Sequence, residues 1–117
     1  MSNAQILDAF GEMLVLLVRD RTIEKFEKIE NGSLKSQKGQ ELHGTLRKFN
    51  EEQKIAIKNL IVETVDNSLF NLLDMLEQNA EKIELNLNKK NINLLSDGLS
   101  GELFTDDGWI KKFSKKK

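Results

Sequence analysis

Hydrophobic residues recur every three or four positions along most of this chain, and that period predicts helices. Between Asn3 and Ile29, the residues Ile6, Phe10, Met13, Leu14, Leu17 and Val18 form an apolar stripe, with Ser2 or Asn3 placed to cap its start. The stripe meets Arg19-Asp20-Arg21, where charge covers more than one face, and resumes at Ile23, Phe26 and Ile29. One helix or two fit this pattern, the second capped by Asp20 or Thr22. Asn31-Gly32 ends it, because both residues tolerate the left-handed cap conformation. Ser33 to Gln37 reads as loop. Lys38 to Phe49 reads as a short helix bearing Leu42, Leu46 and Phe49, weakened by Gly39 and Gly44.

The strongest signal follows. Asn50-Glu51-Glu52-Gln53 has the form of a capping box, with Asn50 as cap and Gln53 three residues on. Ile55, Val62, Leu69, Leu73 and Leu76 then share one stripe, flanked by Ile61, Val65 and Leu72. A helix of about seven turns is predicted, ending near Gln78-Asn79. The period then changes to two: Ile83, Leu85 and Leu87 alternate with polar residues, Asn88 to Asn91 can turn, and Ile92 and Leu94 can pair back. A lone hairpin over about 82–95 is marginal in water, so it must pack on the helices or on a second subunit. From Ser96 onward the text predicts two short helical turns, with Leu99, Leu103, Phe104, Trp109, Ile110 and Phe113 planted on the core.

The predicted fold is therefore mainly α. The first and third segments make an antiparallel helical pair, closed by a short second helix, a minor hairpin and C-terminal turns. With 117 residues the chain is one domain, long enough to bury roughly 60–70% of its unfolded surface without a metal or disulfide staple. Cys is absent, which removes thiolate chemistry; Pro is absent, which leaves seven glycines as the punctuation. The longest apolar run, Met13 to Val18, is far short of a membrane span, and Asp8 and Glu12 interrupt a signal-peptide reading, so a cytoplasmic protein is expected.

Net charge is only -1, yet the last residues are basic: Lys111, Lys112, Lys115, Lys116 and Lys117. A domain over 1–113 followed by a frayed, disordered basic tail over 114–117 is the expectation. The acidic first part of the chain lacks a basic helix face, which makes nucleic acid an improbable partner.

Few residues suggest chemistry. Asp66 falls at the edge of the long helix's apolar stripe, where Arg19 or Arg21 can reach it if the first helix folds back antiparallel. It fits either a structural ion pair or a polar pocket between helices. Glu63 with Asp66, and Glu24 with Glu27, share a helix face at i,i+3, a weak form of the hard-oxygen pairs that hold Mg²⁺. Asp97, Glu102, Asp106 and Asp107 lie among glycines but lack the ligand alternation of a calcium loop. Trp109 is a core anchor or a partner hot spot. His43 is the sole histidine, expected on an exposed helix face. There is no nucleophile elbow, phosphate-cradling loop or dinucleotide fingerprint. No catalytic residue and no cofactor are expected.

Ser96-Asp97-Gly98-Leu99-Ser100-Gly101-Glu102-Leu103-Phe104 through Asp107-Gly108-Trp109-Ile110 resembles the signature of a small bacterial family, a domain of unknown function. Val18-Arg19-Asp20-Arg21 and Val65-Asp66 add to the resemblance, which would cover most of the chain. It implies no activity. It marks Arg19, Asp20, Arg21, Asp66, Asp97, Glu102 and Trp109 as candidate ligand-binding residues.

The pattern as a whole favours a non-catalytic protein-interaction module of a bacterial cell, forming a two-fold homodimer. Immunity or antitoxin-type binding of a protein partner is one version. The alternative is a small-molecule or metal-dependent enzyme with a polar inter-helix pocket around Asp66.

Overall fold

The computed structural model describes residues 1–116 and has a mainly α fold with one minor hairpin. The first segment is a single helical rod: α1 (Asn3–Leu14), a π-helical stretch (Val15–Asp20) and α2 (Arg21–Glu30) follow one another without a break. Ser2 starts it through a complete capping box, its Oγ accepting from Gln5 N at 3.1 Å while its own N–H donates to Gln5 Oε1 at 2.8 Å. Neither Asp20 nor Thr22 caps a second helix. Asp20 has helical backbone angles, and Thr22 Oγ1 donates back to the Val18 carbonyl. The rod ends in a Schellman motif, with Ser33 N donating to Lys28 O and Gly32 N to Ile29 O, and Gly32 adopts φ +79°.

The π stretch resolves the ambiguity around Arg19-Asp20-Arg21. Widening the turn lets Val15, Arg19 and Asp20 all face inward, although two of them are consecutive charged residues. The corresponding correction falls on Met13, Leu17 and Val18, assigned above to the apolar stripe, which instead lie 43–49% exposed.

Helix α3 (Gln37–Leu46) is capped by Ser36 and lies across the far end of α2. His43 is half-buried rather than exposed, its Nδ1 3.0 Å from the Ile29 carbonyl at the end of α2. Helix α4 (Glu51–Gln78) begins with the Asn50/Gln53 capping box and is 28 residues long, about 42 Å. The hairpin is shorter than the alternation implies: β1 (Asn86–Leu87) pairs antiparallel with β2 (Lys90–Asn91), and Ile92–Leu95 is already 3₁₀ helix. Leu94, expected to pair back, is 80% exposed.

A second 3₁₀ turn (Leu99–Glu102) and α5 (Trp109–Phe113) then fill the space between α1 and the C-terminal half of α4. Ile6, Leu7, Leu14 and Val15 from the rod meet Leu69, Leu73 and Leu76 of α4 there, with Ile92, Leu99, Leu103 and Trp109 packed among them. Trp109 sits edge-on to Phe10, centroids 5.8 Å apart, and lies flat against Gly11. A Cβ at Gly11 would fall 2.4 Å from the indole, so a mid-helix glycine is required for this packing. The molecule is elongated, 48 × 29 × 25 Å with a radius of gyration of 16.9 Å, against about 13 Å for an ordinary domain of this size.

Candidate functional site

Arg19 is the polar centre of the fold. It is 2% exposed, carried inward by the π stretch, and its guanidinium joins three parts of the chain. Toward α4, Nε donates to Asp66 Oδ1 at 2.6 Å and the second terminal nitrogen reaches Asp66 Oδ2 at 3.4 Å. Toward its own neighbour, the other terminal nitrogen donates to Asp20 Oδ1 at 2.9 Å. The same nitrogen meets Ser114 Oγ at 2.8 Å and the Lys116 carbonyl at 2.6 Å.

Asp20 completes the link: it accepts from Ser114 Oγ at 2.8 Å and from Lys115 N at 2.7 Å. Around this node Glu27 accepts from both Lys116 Nζ (2.7 Å) and Lys58 Nζ (2.9 Å). Those two ammonium groups hold the Glu27 carboxyl below its ordinary value, Lys116 contributing more than Lys58.

Residues 114–116, assigned above to the basic tail, lie against the rod. Ser114 is buried, and Ser114, Lys115 and Lys116 are tied to the rod by side-chain and backbone hydrogen bonds; Lys117 lies outside the described residues. The physical reason is the acceptor demand of the inward-turned Arg19-Asp20 pair, which α4 alone does not meet. Breaking such a buried pair on one side costs about 3–5 kcal/mol, because the partner charge stays buried.

Arg19, Asp20 and Asp66 thus come together. The other candidates do not join them. Arg21 is exposed on the outer side of α2, and Trp109 is 2% exposed in the core rather than available to a partner. Asp97 is exposed and Glu102 half-buried near Asp8; burial first, then the charges of Asp97 and Asp8, push the Glu102 carboxyl above its ordinary range. Glu63 is exposed one turn before Asp66. Among the described residues no group of three or more His, Cys, Asp or Glu could hold a metal, and no buried side-chain nitrogen or oxygen lacks a hydrogen-bond partner. No described helix is long and apolar enough to cross a membrane.

Beside the node opens a cleft of about 550 Å³. Arg19 and Asp66 form its polar floor, Val62, Leu103 and Ile110 its apolar wall, and Phe104, Asp106 and Lys111 part of its rim. Phe104, expected in the core, is 55% exposed and stacks on Phe70 at 5.9 Å. Asp66 remains an acceptor here, since two donors from Arg19 leave part of a carboxylate's four lone-pair positions unused. Sequence reasoning missed Ser114 and Lys58, which carry no local signal, and gave Glu27 and Lys116 other roles, in a carboxylate pair and in the basic tail, without pairing them; it also missed Gly11, for which a glycine inside a strong helical stripe was the available sign.

Comparison with protein-family models, curated proteins and solved structures finds no match to this chain.

Proposed function

We propose that this protein is a non-catalytic protein-interaction module of the bacterial cytoplasm, working by surface complementarity as an immunity or antitoxin-type protein does. The observation that carries the reading is the closed Arg19 node. Each of its buried donors and acceptors has a partner within the chain, and those bonds join the rod, α4 and the C-terminal residues, which supports a structural role. Regular helices meanwhile present large apolar side chains to solvent: Leu17 and Val18 on the rod, Ile55 and Leu60 on α4. Such residues are what an interface covers. Covalent crosslinking of the tagged chain in its native host should recover one protein in near-stoichiometric amount. Recovery of nothing above an untagged control would overturn the reading.

A two-fold homodimer belongs to the same proposal, with the outward Met13, Leu17 and Val18 as the self-associating strip. Light scattering at tens of micromolar should give twice the chain mass, and a monomer removes this part alone.

A second reading keeps the cleft over Asp66 as a small-molecule or metal-dependent enzyme site, favoured by its size and by the acceptor at its floor. A thermal-shift screen against divalent metals, nucleotides and metabolites decides it. Ligand at a hundredfold excess over its dissociation constant adds roughly 2.7 kcal/mol to stability, and the effect must vanish in Asp66→Asn.

A further inference from the structure

Charge is sorted along the rod. Up to Val18 the chain carries two carboxylates, Asp8 and Glu12, and no Lys or Arg; beyond the π stretch the exposed cations Arg21, Lys25 and Lys28 follow one another closely. Several of the rod's charges are paired within the molecule: Asp8 with Lys112, Glu24 with Lys28, and Glu27 with Lys58 and Lys116. Among the described residues no ion pair takes up Glu12, Arg21 or Lys25, nor Glu30 at the rod's far tip. The rod thus presents an unpaired carboxylate toward one end and two unpaired cations toward the other.

Between them the rod is apolar and outward at Met13, Leu17 and Val18. A groove of about 480 Å³ opens there, lined by Ala9, Met13, Leu16, Leu17 and, from the hairpin, Leu87. Glu12 is the only charged side chain that lines it, and neither Lys89 nor Lys90 of the hairpin does. Ala9, Met13, Leu17, Arg21 and Lys25 follow at intervals of four, so the groove wall and the basic end lie along one side of the rod.

We propose that two copies of the chain meet along this line, antiparallel and centred on Leu17, with Arg21 of each copy set on Glu12 of the other. The inference rests on the homodimer reading above and adds what fixes its direction. Arg21 lies four residues after Leu17 and Glu12 five before it, so an antiparallel pair brings them level to within about 1.5 Å of helix rise. A two-fold axis at Leu17 makes the contact twice. Met13 then lies level with Arg21 of the second copy, whose methylene stem covers the groove while its guanidinium reaches the carboxylate. Lys25 of the second copy comes level with Ala9, one turn from Glu12. A parallel pair would instead set Glu12 on Glu12 and Arg21 on Arg21, so charge selects the antiparallel direction. Each copy supplies both the groove and the side chain that enters it.

The test is sedimentation velocity of the full chain at tens of micromolar, run on the wild type, Glu12→Arg, Arg21→Glu, and the two variants mixed in equal amounts. The wild type should sediment as a dimer. Each variant alone sets like charges against each other twice and should weaken self-association at least about tenfold. The mixture restores both opposite-charge contacts and should recover the dimer to within about threefold of the wild type. Both positions are exposed, and recovery on mixing itself shows that the single variants are folded. A wild-type dimer that both single variants retain, or a loss that mixing does not recover, overturns the Glu12–Arg21 pairing and leaves the homodimer standing. A monomeric wild type overturns the homodimer and this inference with it.

Discussion

The two ends of this molecule are built from similar helices and are packed very differently. At one end the 3₁₀ turns and α5 wedge between α1 and α4, and Val15, Leu73, Ile92, Leu99, Leu103 and Trp109 are all 2% exposed or less. At the other end α3 lies across α2 and leaves the angle with α4 open. An apolar cleft of about 280 Å³ remains there between Phe26, Ile29, Leu42, Leu46, Ile57 and Ile61. Ile55, on the same stripe as Val62 and Leu69, has run past the core and is 62% exposed. Apolar period alone does not make a core; a third element must fill the angle between the helices. Only the Trp109 end has one, and the Arg19 node sits where the filled part stops.

The comparison can be broken most sharply by truncation. Trp109→Ala should cost about 3–5 kcal/mol, read as a lowered urea midpoint at constant slope, whereas Leu46→Ala at the α3 end should cost about 1 kcal/mol. Gly11→Ala, which drives a Cβ into the indole, belongs with the first group at about 1–3 kcal/mol. Equal losses at both ends would contradict the uneven packing. Hydrogen exchange sharpens the same point without mutation. Amides in α3 should exchange through openings at least about 2 kcal/mol cheaper than those of Leu69 to Leu76.

Acidity separates the two ends by sign. Glu27 is held below its ordinary value of 4.5 by Lys116 and Lys58, so its contribution to stability is present at neutral pH and is lost as pH falls through its folded-state value. Glu102, raised above 4.5 by burial, Asp97 and Asp8, does the opposite. The folded chain holds that proton more tightly than the unfolded chain, and stability is lost as pH rises through the folded-state value. Glu27→Gln should therefore flatten the acid limb of the melting curve against pH, and Glu102→Gln should raise the melting point at pH 7. The smallest effect is expected in the hairpin, where Asn88 and Lys89 have φ of +51° and +63°, a type I′ turn. Lys89→Gly should stabilise by about 0.5 kcal/mol, the relief of a left-handed lysine less the entropy cost of glycine.

Much of this architecture is legible in the sequence, and the reasons are local. The Asn50/Gln53 capping box, the end of α4 at Gln78 and the reversal at Asn31-Gly32 are set by neighbouring residues, and each lies where the pattern places it. The pairing of Arg19 with Asp66 was accessible too, because a charge at the edge of an apolar stripe demands a partner. What the pattern could not convey depends on residues distant in the chain. The π stretch exists because Arg19 and Asp20 both find partners inside, and those partners include Ser114 and Lys116, nearly a hundred positions away. Phe104 reads as a core residue from its spacing, yet its ring lies on Phe70 at the surface, since Leu103 and Trp109 already fill the space beneath.

The central claim is that Asp66 serves the fold and leaves recognition to the surface, and the equilibrium urea unfolding of Asp66→Asn tests it most directly. Loss of the charged partner of buried Arg19 should lower stability by about 2–3 kcal/mol. A variant as stable as the wild type, or more stable, would contradict the account, because residues kept for a site at the expense of stability behave in that way.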